Sequence, residues 1–228
     1  MEPLIPVLYT ISIVGFLLHA GRRTGRTHPV LTGDPDLDGR LAYQGLLLAA
    51  SAVSLGTAFL LEPESLRRFF SIGWLDAPAI PLALFGIGPG ERWLEVALSL
   101  GLVITIVTSS AMYLNLRKAG IRPHLPDGAG WILLLSLSNA FGEEMVCRVG
   151  LIAPLAGRLE PTLIFLISAA IFGLAHYRGM PSGVTGVFLA GILGFLLAKS
   201  VYETGGFFWA VMIHFVQDVI IIGSMFMM

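Results

Sequence analysis

Seven stretches of the chain are apolar for long enough to cross a bilayer, which takes about 20 predominantly apolar residues per helix. They are 4–20, 41–61, 93–116, 130–152, 161–178, 183–200 and 206–226. The pattern predicts an all-α fold, a polytopic transmembrane helix bundle of about seven spans. The stretch 69–89 is apolar enough to insert, yet Asp76, Pro78, Pro81 and Pro89 interrupt it. It reads as a re-entrant or interfacial element, and if it spans there are eight helices. No repeat, low-complexity tract or second domain stands out, so 1–228 reads as a single integral membrane domain.

Polar segments punctuate the spans. The linker 21–40 holds Arg22, Arg23, Arg26 and Arg40 with Asp34, Asp36 and Asp38, a mixture expected of a solvated loop. Arg117, Lys118 and Arg122 follow the third span. Placing both basic clusters in the cytoplasm follows the positive-inside rule and puts the N-terminus outside, although Arg67, Arg68 and Arg92 oppose this orientation. The first apolar run has Glu2 where a signal peptide would carry basic residues, so it reads as a retained first span.

Composition agrees with the pattern. Hydrophobic residues make up 55% of the chain and charged residues only 13%, with a mean hydropathy of +0.81, and that is the balance of a chain whose solvent is lipid. A net charge of -1 offers no basic stripe for a phosphate backbone, which argues against nucleic acid as a partner. The single cysteine, Cys147, cannot form an intrachain disulfide, and no paired Cys/His spacing suggests structural zinc.

Against this apolar background, six ionisable residues fall at apparent membrane depth in the last 100 residues: Glu143, Glu144, Arg148, His176, His214 and Asp218. Each costs roughly 2.5 to 3.5 kcal/mol at the centre of a span, so they must face one another or a water-filled cavity. Glu144 and Arg148 are four apart and can pair along one helix face. Glu143 points about 100° away from that pair and is left for another partner. The bland reading is a buried salt bridge with a stray acid tying helices together; the sharper one makes Glu143 a general base, since a carboxylate in a low-dielectric site holds a proton near neutral pH. Phe172 and His176 share a face near the end of the fifth span. Alone, His176 reads as an interfacial histidine. His214 and Asp218 are again four apart, so Asp218 can orient the imidazole, although such pairs also serve proton relays in transporters.

The order E-E-x-x-x-R, F-x-x-x-H, H-x-x-x-D, each on its own span, resembles the CAAX prenyl endopeptidase and bacteriocin-processing family of intramembrane proteases. The resemblance covers roughly 138–220, within a catalytic core of about 130–226. It implies that Glu143 activates water, that Glu144 and Arg148 form a supporting ion pair, and that His176 and His214 bind water or stabilise the oxyanion. Asp218 completes the last motif where many relatives carry asparagine, and an aspartate donates to an oxyanion only when protonated. The activity implied is hydrolysis of a peptide bond in a membrane-associated protein or peptide, with no cofactor and no metal. The likeness also implies a prokaryotic cell membrane, and as substrates prenylated C-terminal tails, bacteriocin leaders or sorting tails.

Competing readings remain open on the residues alone. Glu143, His176, His214 and Asp218 are ligand types that zinc accepts, but H-E-x-x-H is missing. Cys147 lies four residues after Glu143, yet a bilayer setting disfavours the thiolate. The same polar core would suit a proton- or cation-coupled transporter, or a non-catalytic membrane scaffold or immunity protein. One geometric difficulty stands: Glu143 falls mid-span whereas His176 falls at a span end, so the two meet only if a helix is tilted, kinked or displaced.

Overall fold

The computed structural model describes residues 3–24, 30–124, 126–180 and 182–228. Among the described residues six helices are long and apolar enough to cross a membrane: α1 (Leu4–Thr24), α2 (Pro35–Leu61), α4 (Trp93–Lys118), α7 (Pro161–Ala175, extended by a 3-10 turn to Arg178), α8 (Gly183–Thr204) and α9 (Phe208–Met225). Between α2 and α4 lies the short α3 (Pro63–Phe69). The predicted span 130–152 takes a different form. It is α5 (Ala129–Glu144), a π-helical turn over Met145–Val149, and α6 (Gly150–Leu155), which carries Pro154. The chain is therefore an all-α polytopic membrane protein, with large apolar side chains such as Leu60, Leu98, Leu102 and Phe188 on its outer surface, where lipid replaces water.

Helix ends follow local chemistry. The expected loop 21–40 is shorter than its composition suggests, because α1 continues to Thr24 and α2 starts at Pro35; residues 25–29, with Arg26, lie outside the described residues. Asp34 caps α2 by accepting from the backbone N–H groups of Asp36 and Leu37, and Pro35 occupies the first turn, where a missing N–H costs nothing. Asp38, far from being solvated, is 1% exposed and accepts from the N–H groups of Leu31 and Thr32 and from the Thr32 hydroxyl. At the other end of α2, Pro63 keeps Glu62 out of the helical conformation, so the chain breaks and restarts as α3.

The stretch 69–89 does not span. After α3 it runs as irregular chain with one 3-10 turn, Ala83–Phe85, and isolated bridges Pro78 to Arg92 and Leu82 to Ile87. Its prolines and glycines remove helix donors and backbone stiffness. Irregular backbone near lipid needs internal partners, and this segment finds them on α8 and the α8–α9 turn. The Trp74 N–H donates to the Thr204 carbonyl at 2.8 Å. Lys199 and Glu203, one turn apart on α8, form a buried ion pair. Lys199 also donates to the Ile80 carbonyl at 2.7 Å, and Glu203 accepts from the Ile80 N–H and the Trp93 indole. Gly73 approaches Gly206 so closely that a Cβ on it would sit 2.7 Å from the Gly206 nitrogen.

These contacts put 70–92, the α6–α7 turn (through Arg158 and Glu62) and the α8–α9 turn at one end of the bundle. Arg40 over the Phe226 ring, at 5.4 Å, places the start of α2 and the end of α9 at the other. Within the bundle α5 packs between α2 and α9, α4 lies on α9, and α7 lies tightly on α8. Gly173 permits the last contact: a Cβ there would meet the Val187 carbonyl oxygen at 2.6 Å. That approach sets the axial position of Phe172 and His176.

Candidate active site

The site is built around the junction of α5 and the π-turn. Both side chains of the Glu144–Arg148 pair are fully buried, and Arg148 Nη1 donates to Glu144 Oε1 at 2.9 Å. The guanidinium carbon lies 3.9 Å from the centre of the Phe172 ring, on α7, adding a desolvated cation–π contact. Glu144 Oε1 has a second partner that sequence spacing does not suggest: His214 Nδ1 on α9 lies 2.8 Å away. Since a carboxylate only accepts, the imidazole donates from Nδ1, and this directs Nε2 to the other side of the ring.

On that side Nε2 lies 3.8 Å from Glu143 Oε2 and 3.6 Å from Asp218 Oδ2. The three acids therefore surround one imidazole. Glu143 is the most accessible of them, its side chain 19% exposed against 0% for Glu144 and 9% for Asp218. His176 sits where α7 gives way to its 3-10 turn; its Nδ1 donates to the Phe172 carbonyl at 2.8 Å, so Nε2 is the nitrogen left for other chemistry. The Phe172 ring touches both histidines, with centroids 4.4 Å from His176 and 5.5 Å from His214.

Two residues that the sequence reading passes over belong to the same network. Asn139, one turn before Glu143 on α5, donates from Nδ2 to Glu143 Oε1 at 3.3 Å and to Asp218 Oδ2 at 3.1 Å. Gln44 on α2 donates to Asn139 Oδ1 at 3.2 Å. A polar residue four before a catalytic candidate was a usable signal for Asn139. Gln44 carried none, because only packing of α2 on α5 brings it close.

The spaces beside these groups are two rather than one. A cavity of about 210 Å³ is lined by Glu143, Cys147, Tyr43, Phe172 and His176. A larger one, about 390 Å³, runs between α4, α8 and α9 and is mostly apolar, with His176, His214, Gln217 and Asp218 on its wall and Leu84 and Phe85 further along it. Phe172 and His176 line both. Glu143 and His176 line the smaller cavity, and His176 and His214 line the larger one. Glu143 and His214 come within 3.8 Å of each other but line different cavities, with Phe172 on the wall of both. The depth mismatch between Glu143 and His176 closes nonetheless, since both line the smaller cavity. Cys147 is a buried wall residue there. Among the described residues no group of three or more His, Cys, Asp or Glu side chains has the geometry to hold a metal ion.

A helical membrane protein with carboxylates, imidazoles and a guanidinium drawn together in its interior, beside an apolar cavity, has the makings of a membrane-embedded enzyme. Residues 126–220 match the family model of the type II CAAX prenyl endopeptidases, Rce1-like, so that segment of the chain is similar to the CAAX proteases. The match supports a CAAX-type intramembrane protease in general terms. The matched segment begins just before α5 and ends within α9, so it contains all six candidate residues read from the three motifs. No curated protein and no solved structure matches the chain.

Proposed function

We propose that the chain hydrolyses a peptide bond of a membrane-associated protein or peptide, using water activated by Glu143. The observation that supports this reading best is the unequal treatment of three neighbouring acids. Glu144 is held by Arg148 and His214, whereas Asp218 and Glu143 each accept one bond from Asn139. Glu143 keeps Oε2 beyond hydrogen-bond range of its nearest partner and is partly exposed to a cavity that it shares with His176. A water bound between Glu143 and His176 Nε2 would meet a base on one side and a positioning group on the other.

In the proposed reaction Glu143 takes a proton from the water while the water oxygen bonds to the scissile carbonyl carbon, and the carbonyl electron pair moves onto its oxygen. His214 takes part as the imidazolium, its Nδ1–H kept on Glu144 and its Nε2–H donating to that oxyanion, in a setting from which bulk water is excluded. Collapse of the tetrahedral intermediate breaks the C–N bond, and the proton held by Glu143 passes to the leaving nitrogen. One water is consumed and the protein returns unchanged. Phe172 lines both cavities, so substrate binding is expected to join them by shifting its side chain. The apolar lining of the larger cavity favours a substrate that brings an apolar segment or lipid group with it. A prenylated C-terminal tail, the substrate type in the matched family's name, belongs to that class, beside bacteriocin leaders and sorting tails.

The test compares the parent with Glu143→Gln, which keeps size and insertion and removes proton acceptance. With a fluorogenic farnesylated peptide ending in a CAAX sequence, cleavage should fall by at least about two orders of magnitude. In cells the variant should accumulate uncleaved membrane-anchored proteins. Parent-like turnover by Glu143→Gln overturns the proposed mechanism.

A further inference from the structure

We infer that Asn139 is a positioning residue for this site: the two hydrogens of its side-chain amide hold Glu143 and Asp218 in register, and Gln44 sets which way that amide faces. The activity side of the inference rests on the role proposed for Glu143.

Both Asn139 contacts come from the same nitrogen and go to carboxylates on two different helices, α5 and α9. An asparagine amide has two ends of nearly equal shape, and the wrong end would set Oδ1 against two carboxylate oxygens at about 3 Å, replacing two attractions by two repulsions. The choice is made from α2. The Gln44 amide donates to Asn139 Oδ1 at 3.2 Å, and Gln44 Oε1 in turn lies 3.0 Å from the Ser138 hydroxyl. That hydroxyl has one hydrogen, shared between Gln44 Oε1 and the Leu135 carbonyl at 3.1 Å. Donors thus run in one direction, from Ser138 through Gln44 and Asn139 to the two acids.

The arrangement has a use beyond packing. Glu143 and Asp218 both flank His214 Nε2, at 3.8 and 3.6 Å, and one N–H serves one carboxylate at a time. Asn139 serves both at once. A base must change its charge during turnover, and each change alters its attraction to the imidazole. With Asn139 in place, Asp218 stays anchored when Glu143 is protonated, and Glu143 returns to the same position when the proton leaves. An asparagine with only a packing role would not need both hydrogens on acids, nor a partner from a third helix to orient it.

The experiment uses the full-length protein in liposomes, with Asn139→Leu, Asn139→Asp, Gln44→Leu and the double variant Asn139→Leu/Gln44→Leu. Against the farnesylated CAAX peptide, Asn139→Leu and Asn139→Asp should lower kcat roughly ten- to hundredfold, as expected for lost hydrogen bonds to charged groups, with KM within about twofold. Gln44→Leu should lower kcat less, and should add nothing when Asn139 is already leucine, because it acts through that side chain. Infrared carboxylate bands, assigned from Glu143→Gln and Asp218→Asn difference spectra, give a second readout that needs no substrate. The bands of both acids should shift in Asn139→Leu. Unshifted bands, unchanged kcat per folded protein, or additive losses in the double variant overturn the inference. If Glu143→Gln cleaves the peptide as well as the parent, the proposed role of Glu143 fails by itself, and the infrared bands still decide whether Asn139 holds the two acids.

Discussion

Replacing Arg148 by alanine removes a cation whose side chain is completely buried, and the structure allows the cost to be worked out contact by contact. Breaking a buried ion pair from one side typically costs about 3 to 5 kcal/mol, because the remaining charge keeps its desolvation penalty. Glu144 would not be left wholly alone: the His214 Nδ1–H still reaches Oε1 at 2.8 Å. That argues for the lower half of the range. The variant also loses the guanidinium stacked on Phe172, worth roughly 2 kcal/mol for a desolvated cation–π contact, and leaves space beneath the ring. Together these give a loss of about 5 to 6 kcal/mol, measurable as reversible unfolding in bicelles or mixed micelles. The control is the double variant Glu144→Leu/Arg148→Met. Exchanging a whole buried pair for apolar side chains is often near neutral, so the remaining cost is the unpartnered His214 Nδ1, at about 1 to 3 kcal/mol, and the lost cation–π contact, at roughly 2 kcal/mol. An Arg148→Ala protein within about 1 kcal/mol of the parent, or a double variant less stable than the single one, refutes the reasoning.

Lys199→Ala should lower stability by about 3 kcal/mol, the low end for a broken buried pair because Glu203 keeps the Ile80 and Trp93 donors, and limited proteolysis should find 76–92 cut faster than in the parent. Treatment with a zinc chelator followed by the peptide assay should leave turnover unchanged, whereas loss of activity restored by added zinc would revive a metal-dependent mechanism.

Much of this architecture follows from chain chemistry that needs no coordinates. Six of the seven apolar stretches are continuous spanning helices because length and hydropathy alone decide whether a helix stays in lipid. The Glu144–Arg148 pair was legible for a similar reason, since i,i+4 spacing is local. The π-turn over 145–149 was not: it depends on how α5 and α6 meet α2 and α7, and no composition marks it. Asp34 and Asp38 looked like loop residues by charge, although Asp-Pro ahead of an apolar run is a helix-start signal that argued otherwise. The pair Lys199 and Glu203, also four apart, was legible and passed over, lying at the end of a span where charges seem unremarkable. The His214 contact to Glu144 and the Gln44 contact to Asn139 join residues 70 and 95 positions apart, and only tertiary packing creates them.

The shared oxygen of Glu144 has a bearing on how this protein can change. In most soluble enzymes the active site is a stability liability: blunting its polar groups tends to make the fold sturdier and the enzyme slower. Helices in lipid gain no hydrophobic drive toward each other, and polar contacts and close packing hold them instead. Here one carboxylate oxygen binds the π-turn to α9, and the guanidinium on the same carboxylate rests on α7. Substitutions that disarm this corner therefore loosen the assembly as well. A lineage drifting away from catalysis would lose fold and function together, and stabilising variants would have to be sought away from the carboxylates, among the apolar contacts that face the bilayer.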